Sequence, residues 1–195
     1  MKIFVPHVLK NQPWVIPRKM EDHERLFALN GERQLNWRPM VMTDILSNDD
    51  GTPRWNSDMP WYNAHLLMLR QKAERELRDV LTSYGELLPL ISEQPLTLFN
   101  TTLSLYALDE DKSDIVRFDD GSVMTIERHV FRSDVIGAAR MFKLKLRTGD
   151  YRVSAIYLQE KMIDVIRDSG VKGVGFKLIW SDEPICSETP IVEFW

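Results

Sequence analysis

Between residues 153 and 180 the chain reads VSAIYLQEKMIDVIRDSGVKGVGFKLIW, and its apolar period changes there at a cluster of glycines. Few features constrain a fold as tightly, because a helix repeats its faces about every 3.6 residues and a strand every two. Ser154 reads as an N-cap whose hydroxyl accepts from a backbone N–H of the first turn. Ala155, Leu158, Met162 and Val165 or Ile166 then form an apolar stripe at helical spacing. Gly170 stands where such a helix must stop, with Val171 placed to pack back on its last turn. From Val174 the period is two: Val174, Phe176, Leu178 and Trp180 point one way, Gly175, Lys177 and Ile179 the other.

The order is therefore helix, glycines, strand. A phosphate-binding loop needs the reverse, because its anion rests on the free N–H groups at the start of a helix. The spacing of Gly170, Gly173 and Gly175 also departs from G-x-G-x-x-G. The cluster reads as a structural corner.

A second helix is expected over residues 63–84, NAHLLMLRQKAERELRDVLTSY. Leu66, Leu69, Ala73, Leu77, Val80 or Leu81, and Tyr84 recur at spacings of three and four. Opposite charges four apart mark the other face: Arg70 with Glu74, Glu74 with Arg78, and Arg75 with Asp79. Gly85 follows in the position of a C-terminal cap.

From residue 96 the pattern is strand-like. TLFNTTLSLYAL precedes the acidic turn DEDKSD, then IVRF, the turn DDG and SVMTIERHVF, a hairpin signal. RSDVIGAA reads as a short helical turn capped by Ser133. In MFKLKLRT, Phe142, Leu144 and Leu146 alternate with Lys143, Lys145 and Arg147, which puts one face in the core and the basic face in water. Earlier, short strands fit Lys2–Val5 and Trp37–Met42, and SNDDGTPRWNSDMP is a loop. The fold class is α+β, with a mixed or antiparallel sheet, an amphipathic helix at 63–84 and a helix–strand unit at 154–180. A single domain over residues 1–195 fits that length.

The chain carries a net charge of −4 with both signs interspersed, so it lacks the basic stripe of a nucleic-acid binder and favours a basic partner. No apolar run is long enough to cross a membrane, and Ile3 to Val5 is too short for a secretory core. A lone cysteine, Cys186, fits a reducing compartment and a buried, inert thiol; the expected location is cytoplasmic.

His7, His23, His65 and His129 stand apart without metal-ligand spacing, and neither a cofactor nor a metal is expected. In the acidic stretch, Asp109, Asp111 and Ser113 match the first ligands of a calcium loop, but Asp114 and Asp120 replace its glycine and final glutamate. Two readings remain for that stretch. Its carboxylates serve as turn formers, or Asp109, Glu110, Asp111, Asp114, Asp119 and Asp120 form an electrostatic contact for a basic partner. Trp14, Trp37, Trp55, Trp61 and Trp195 either fill a core or make a recognition surface, and Trp180 belongs to a core.

The succession GELLPL (85–90), FNTTLSLYALDEDKS (99–113), RFDDGSVMTIERHVFR (117–132) and the stretch 153–183 resembles a bacterial immunity-protein family of polymorphic toxin systems, immunity family eleven, formerly a domain of unknown function. In that pattern a valine–serine pair opens a helix, a glycine corner follows and a tryptophan ends the strand. Val153, Ser154, Gly170, Val171, Gly173, Val174, Phe176 and Trp180 fit it, while Gly175 is an added glycine. The resemblance covers residues 84–183; the part before residue 96 matches more loosely, and the first sixty residues only in tryptophan and proline content. It implies a cytoplasmic α+β protein that neutralises a cognate toxin by binding it, with no catalytic residues. Two other classes stay open. One is a small enzyme drawing His129, Glu127, Asp134 and Arg140 together; the other is a homo-oligomeric subunit, a homodimer included.

Overall fold

The computed structural model describes residues 1–184 and 190–194, so Cys186 and Trp195 lie outside the described residues. In chain order the elements are β1 (Lys2–His7), β2 (Trp14–Pro17), α1 (Met20–Phe27), β3 (Met42–Ile45), β4 (Leu67–Arg70), α2 (Gln71–Leu81), β5 (Gly85–Pro89), β6 (Leu96–Thr101) and β7 (Ser104–Leu105). They continue with β8 (Asp114–Arg117), β9 (Val123–Arg128), α3 (Ser133–Ile136), β10 (Met141–Leu144), β11 (Tyr157–Gln159), α4 (Glu160–Asp168), β12 (Val174–Ser181) and β13 (Ile191–Phe194). The class is α+β.

The largest sheet runs β13-β12-β1-β11-β10-β7 and is mixed, because β7 pairs with β10 in parallel while the other pairs are antiparallel. A second sheet, β4-β6-β5, is antiparallel. Between them lies a core of Phe4, Leu158, Phe176 and Leu178 from the first sheet and Leu67, Leu69 and Phe99 from the second. Helices α2 and α4 close it with Ala73, Leu77, Leu81, Met162, Ile163 and Ile166. The outer face of β4-β6-β5 carries a separate core of Leu66, Met68, Leu88, Leu96 and Leu98 under α1. The outer face of the large sheet carries another, with Ile3, Phe142, Leu144 and Tyr157 under the β8–β9 hairpin.

This two-sided burial corrects the helix expected at 63–84. Leu66, Leu67, Met68 and Leu69 are each at most 4% exposed. A surface helix buries one stripe, whereas a strand between two cores buries every residue. Residues 67–70 therefore form β4, and α2 starts only at Gln71. The charge pairs shift with it. Arg78 still reaches Glu74, but Arg70 pairs with Asp44 on β3 at 2.5 Å and Arg75 with Glu76. Gly85 is not a helix cap: it opens β5, where a Cβ would overlap the Asn100 carbonyl of β6.

The stretch 153–180 departs in the same way. Tyr157–Gln159 is β11, and α4 runs from Glu160 to Asp168. Ser154 is no N-cap; its hydroxyl accepts from the Leu144 N–H and donates to the Ala155 carbonyl. The corner stands as read, with Gly170 and Gly173 at φ of 68° and 75° and β12 beginning at Val174. The alternation holds through Leu178. There Ile179 is inserted opposite the Ile3/Phe4 step, and the bulge turns Trp180 to the other face, edge-on to Phe131 at 5.7 Å.

Other expectations resolve locally. β8 and β9 pair as a hairpin across Gly121, which has φ of 81°. The strand expected at Trp37–Met42 begins only at Met42, and Ser133 caps nothing. Trp37 and Trp55 donate their indole N–H groups to the Pro89 and Lys10 carbonyls, while Arg54 covers the ring of Trp14.

Candidate functional site: an acidic hairpin and a buried lysine

Residues 109–128 hold seven carboxylates against three basic side chains, a net −4 equal to that of the whole chain. The β8–β9 hairpin and the turn before it bring all of them to one region. Four of the six acidic candidates have partners, two of them reaching residues 147–152 outside the segment. Asp109 pairs with Lys112 at 2.9 Å and Asp114 with Arg128 at 2.8 Å. Asp120 accepts from Ser122 and Arg152. Glu110 accepts from the backbone N–H groups of Arg147 and Thr148 and from the Thr148 hydroxyl.

These partners shift the carboxyl groups. Hydrogen bonds from Lys112, Arg128 and Ser122 hold Asp109, Asp114 and Asp120 below the usual range. For Glu110 partial burial pushes upward, but its donors outweigh that and the net direction is down. All four are thus kept ionised. Asp111 and Asp119 are exposed, and among the described residues neither has a hydrogen bond or ion pair. Phe118, next to Asp119 in the chain, and Met124 on β9 are 51% and 50% exposed, two apolar groups on a charged hairpin.

His129 lies at the end of β9 but faces inward. Its Nε2 is 3.2 Å from the Tyr157 hydroxyl, its ring stacks on Phe131, and burial pulls the imidazole down to about 4. Glu127, Asp134 and Arg140 are exposed, and among the described residues no hydrogen bond or ion pair joins any of them to His129. The four residues are not brought together in this arrangement.

A polar cluster that the sequence reading missed surrounds Lys143. The alternation placed this lysine in water, yet it is 1% exposed and all of β10 is buried. Its stem passes close to Gly31, and its Nζ donates to the Leu29 carbonyl at 2.6 Å. Burial pulls the amine down to about 7. His65 lies in the same region, with Nε2 3.1 Å from the Leu26 carbonyl; burial first, and the Lys143 charge second, bring it to about 3. His65 Nδ1, Asn100 Oδ1, Thr101 Oγ1 and Ser104 Oγ are buried without a hydrogen-bond partner. No periodicity could have flagged Lys143, because a strand covered on both faces leaves the alternation of its residues without meaning.

Elsewhere an open cleft of about 430 Å³ is lined by Trp55, Asp58, Arg70, Lys72 and Lys172. Its charges are largely spent internally: Arg70 on Asp44, and Lys72 on Asp58 and the Gly170 carbonyl.

Comparison with protein-family models and with curated proteins finds no match for this chain. No helix among the described residues is long and apolar enough to cross a membrane.

Proposed function

We propose that this chain is a cytoplasmic immunity protein that binds and neutralises a basic toxin through the acidic hairpin, without catalysis. The observation that carries the reading is the combination at residues 109–128. Four carboxylates held by hydrogen bonds accompany two unpaired ones, Asp111 before β8 and Asp119 in the hairpin turn, and the same segment leaves Phe118 and Met124 half-exposed. Fixed charges of one sign speed encounter with an opposite patch, and apolar or aromatic groups inside the patch supply the desolvated anchors. The resemblance of residues 84–183 to immunity family eleven supports the same reading and names the kind of partner.

The test is co-expression with the product of the adjacent toxin gene, followed by calorimetry on the purified pair. The expected result is cell survival and a stable complex. Asp111→Lys with Asp119→Lys should weaken binding at least tenfold and reduce its dependence on salt. A toxin that kills equally with and without this chain would sink the reading.

A further inference from the structure

Residues 28–34 run from the end of α1 across β6, β7 and β10 as a strap, and polar bonds tie it down. The Leu29 carbonyl accepts from Lys143 Nζ at 2.6 Å, and the Glu32 carbonyl from Asn100 at 2.8 Å. Asn30 donates to the Tyr151 carbonyl and accepts from the Ser154 N–H, while the Gln34 N–H donates to Glu86. Leu29 is inserted into the core at 1% exposure. Gly31, at φ of 89°, lies so close on Ser104 that a Cβ would overlap its hydroxyl.

The tie at Lys143 differs from the rest. Among the described residues no carboxylate pairs with this amine, whose one bonded partner is a neutral carbonyl. The groups that face it do not offset a charge. His65 is neutral, because burial and the Lys143 charge both disfavour its protonation. Glu86 on β5 bonds Asn100 and the Gln34 N–H and makes no ion pair with the amine. Asn100 and Ser104 are uncharged, the neighbours on β10 are apolar, and the Tyr151 phenol is raised by burial. The Glu32 carboxylate on the strap is exposed.

We propose that residues 28–34 form a proton-released clasp, held shut while the Lys143 amine is uncharged and let go when it takes up a proton. Release uncovers the polar floor of Asn100 and Ser104, which the strap covers through Glu32 and Gly31 and each of which holds a buried oxygen without a partner. The amine needs only a modest fall from neutral pH to become charged, because burial alone has lowered it to about 7. A buried ammonium with one neutral acceptor is far more costly than the same group in water, so charging and opening are linked. The clasp is a property of the chain alone and does not depend on the toxin-binding reading.

Hydrogen exchange followed by mass spectrometry on the full chain at pH 8 and pH 6, corrected for the intrinsic exchange rate, tests this. Between pH 8 and pH 6 peptides covering 28–34 should lose protection by about tenfold in all, the loss falling above the titration point near 7 and levelling off below it, while β6 and β12 stay protected. Lys143→Met should abolish that dependence, and Lys143→Arg should leave the strap open at both pH values. The wild-type series alone is decisive should a variant fail to fold. Equal corrected protection of the strap at pH 6 and pH 8, or the same pH dependence in Lys143→Met, would overturn the proposal.

Discussion

Met68 offers the sharpest test of how this chain is built. On a helix over 63–84 it would sit about 200° around the axis from Leu66, outside the apolar stripe. Truncation there would then cost within about 0.5 kcal/mol, as surface substitutions usually do. In β4 it is instead 1% exposed and packed with Leu66, Leu88, Leu96 and Leu98 under α1. Met68→Ala should therefore cost about 3 kcal/mol, the middle of the range for deleting a buried methionine side chain. For a chain of this length that is a fall in melting temperature of roughly 6–12 °C. Leu69→Ala, on the opposite face of the same strand, should cost a similar amount. Urea titration of both variants, with the slope unchanged, measures the pair. A Met68→Ala loss within 0.5 kcal/mol alongside a large Leu69→Ala loss would restore the helix and refute the two-sided strand.

Three further outcomes follow from the same structure. The Arg70–Asp44 pair is largely buried, at 12% and 6% side-chain exposure, so Asp44→Ala should cost about 3–5 kcal/mol in urea titration by leaving an unpaired guanidinium; joining it to Arg70→Met should recover most of that loss. Gly85→Ala drives a methyl group into the Asn100 carbonyl and should lower stability by about 1–3 kcal/mol in thermal melts. The Lys143 amine titrates near 10.5 when unfolded and near 7 when folded, so between those values the unfolded chain binds more protons. Stability should accordingly rise with pH from 7 to 10 and be lower below 7, and the rise should flatten in Lys143→Met when urea midpoints are compared.

The parts of the fold legible in the sequence are those with one wet face. The β8–β9 hairpin announced itself through Asp-Gly and alternation, and the glycine corner through the change of period at Gly170 and Gly173. Helix α1 was not foreseen, and the helices expected at 63–84 and after Ser154 exist as α2 and α4 but were begun too early, for one physical reason. Each springs directly from a short strand: β4 ends at Arg70 where α2 starts, and β11 ends at Gln159 where α4 starts. Leu66–Leu69 and Ile156–Leu158 are buried on both faces, so they carry no period that separates strand from helix. Lys143 was misplaced on the same account. Within the acidic stretch the sequence located the carboxylates but could not sort them. Only the fold shows that Glu110 is held by residues 147–148 whereas Asp111, its neighbour, is left unbound.

The position of β1 has a temporal side. Residues 2–7 are made long before their partners, because they sit in the sheet between Tyr157–Gln159 and Val174–Ser181. On a ribosome adding roughly 5–20 residues per second, that strand waits roughly 8–30 s with both edges bare before either neighbour emerges. Its apolar Ile3, Phe4 and Val5 are then open to chaperones or to other nascent chains. Slow translation should accordingly lower the soluble yield of this chain more than that of a protein whose early strands pair with each other.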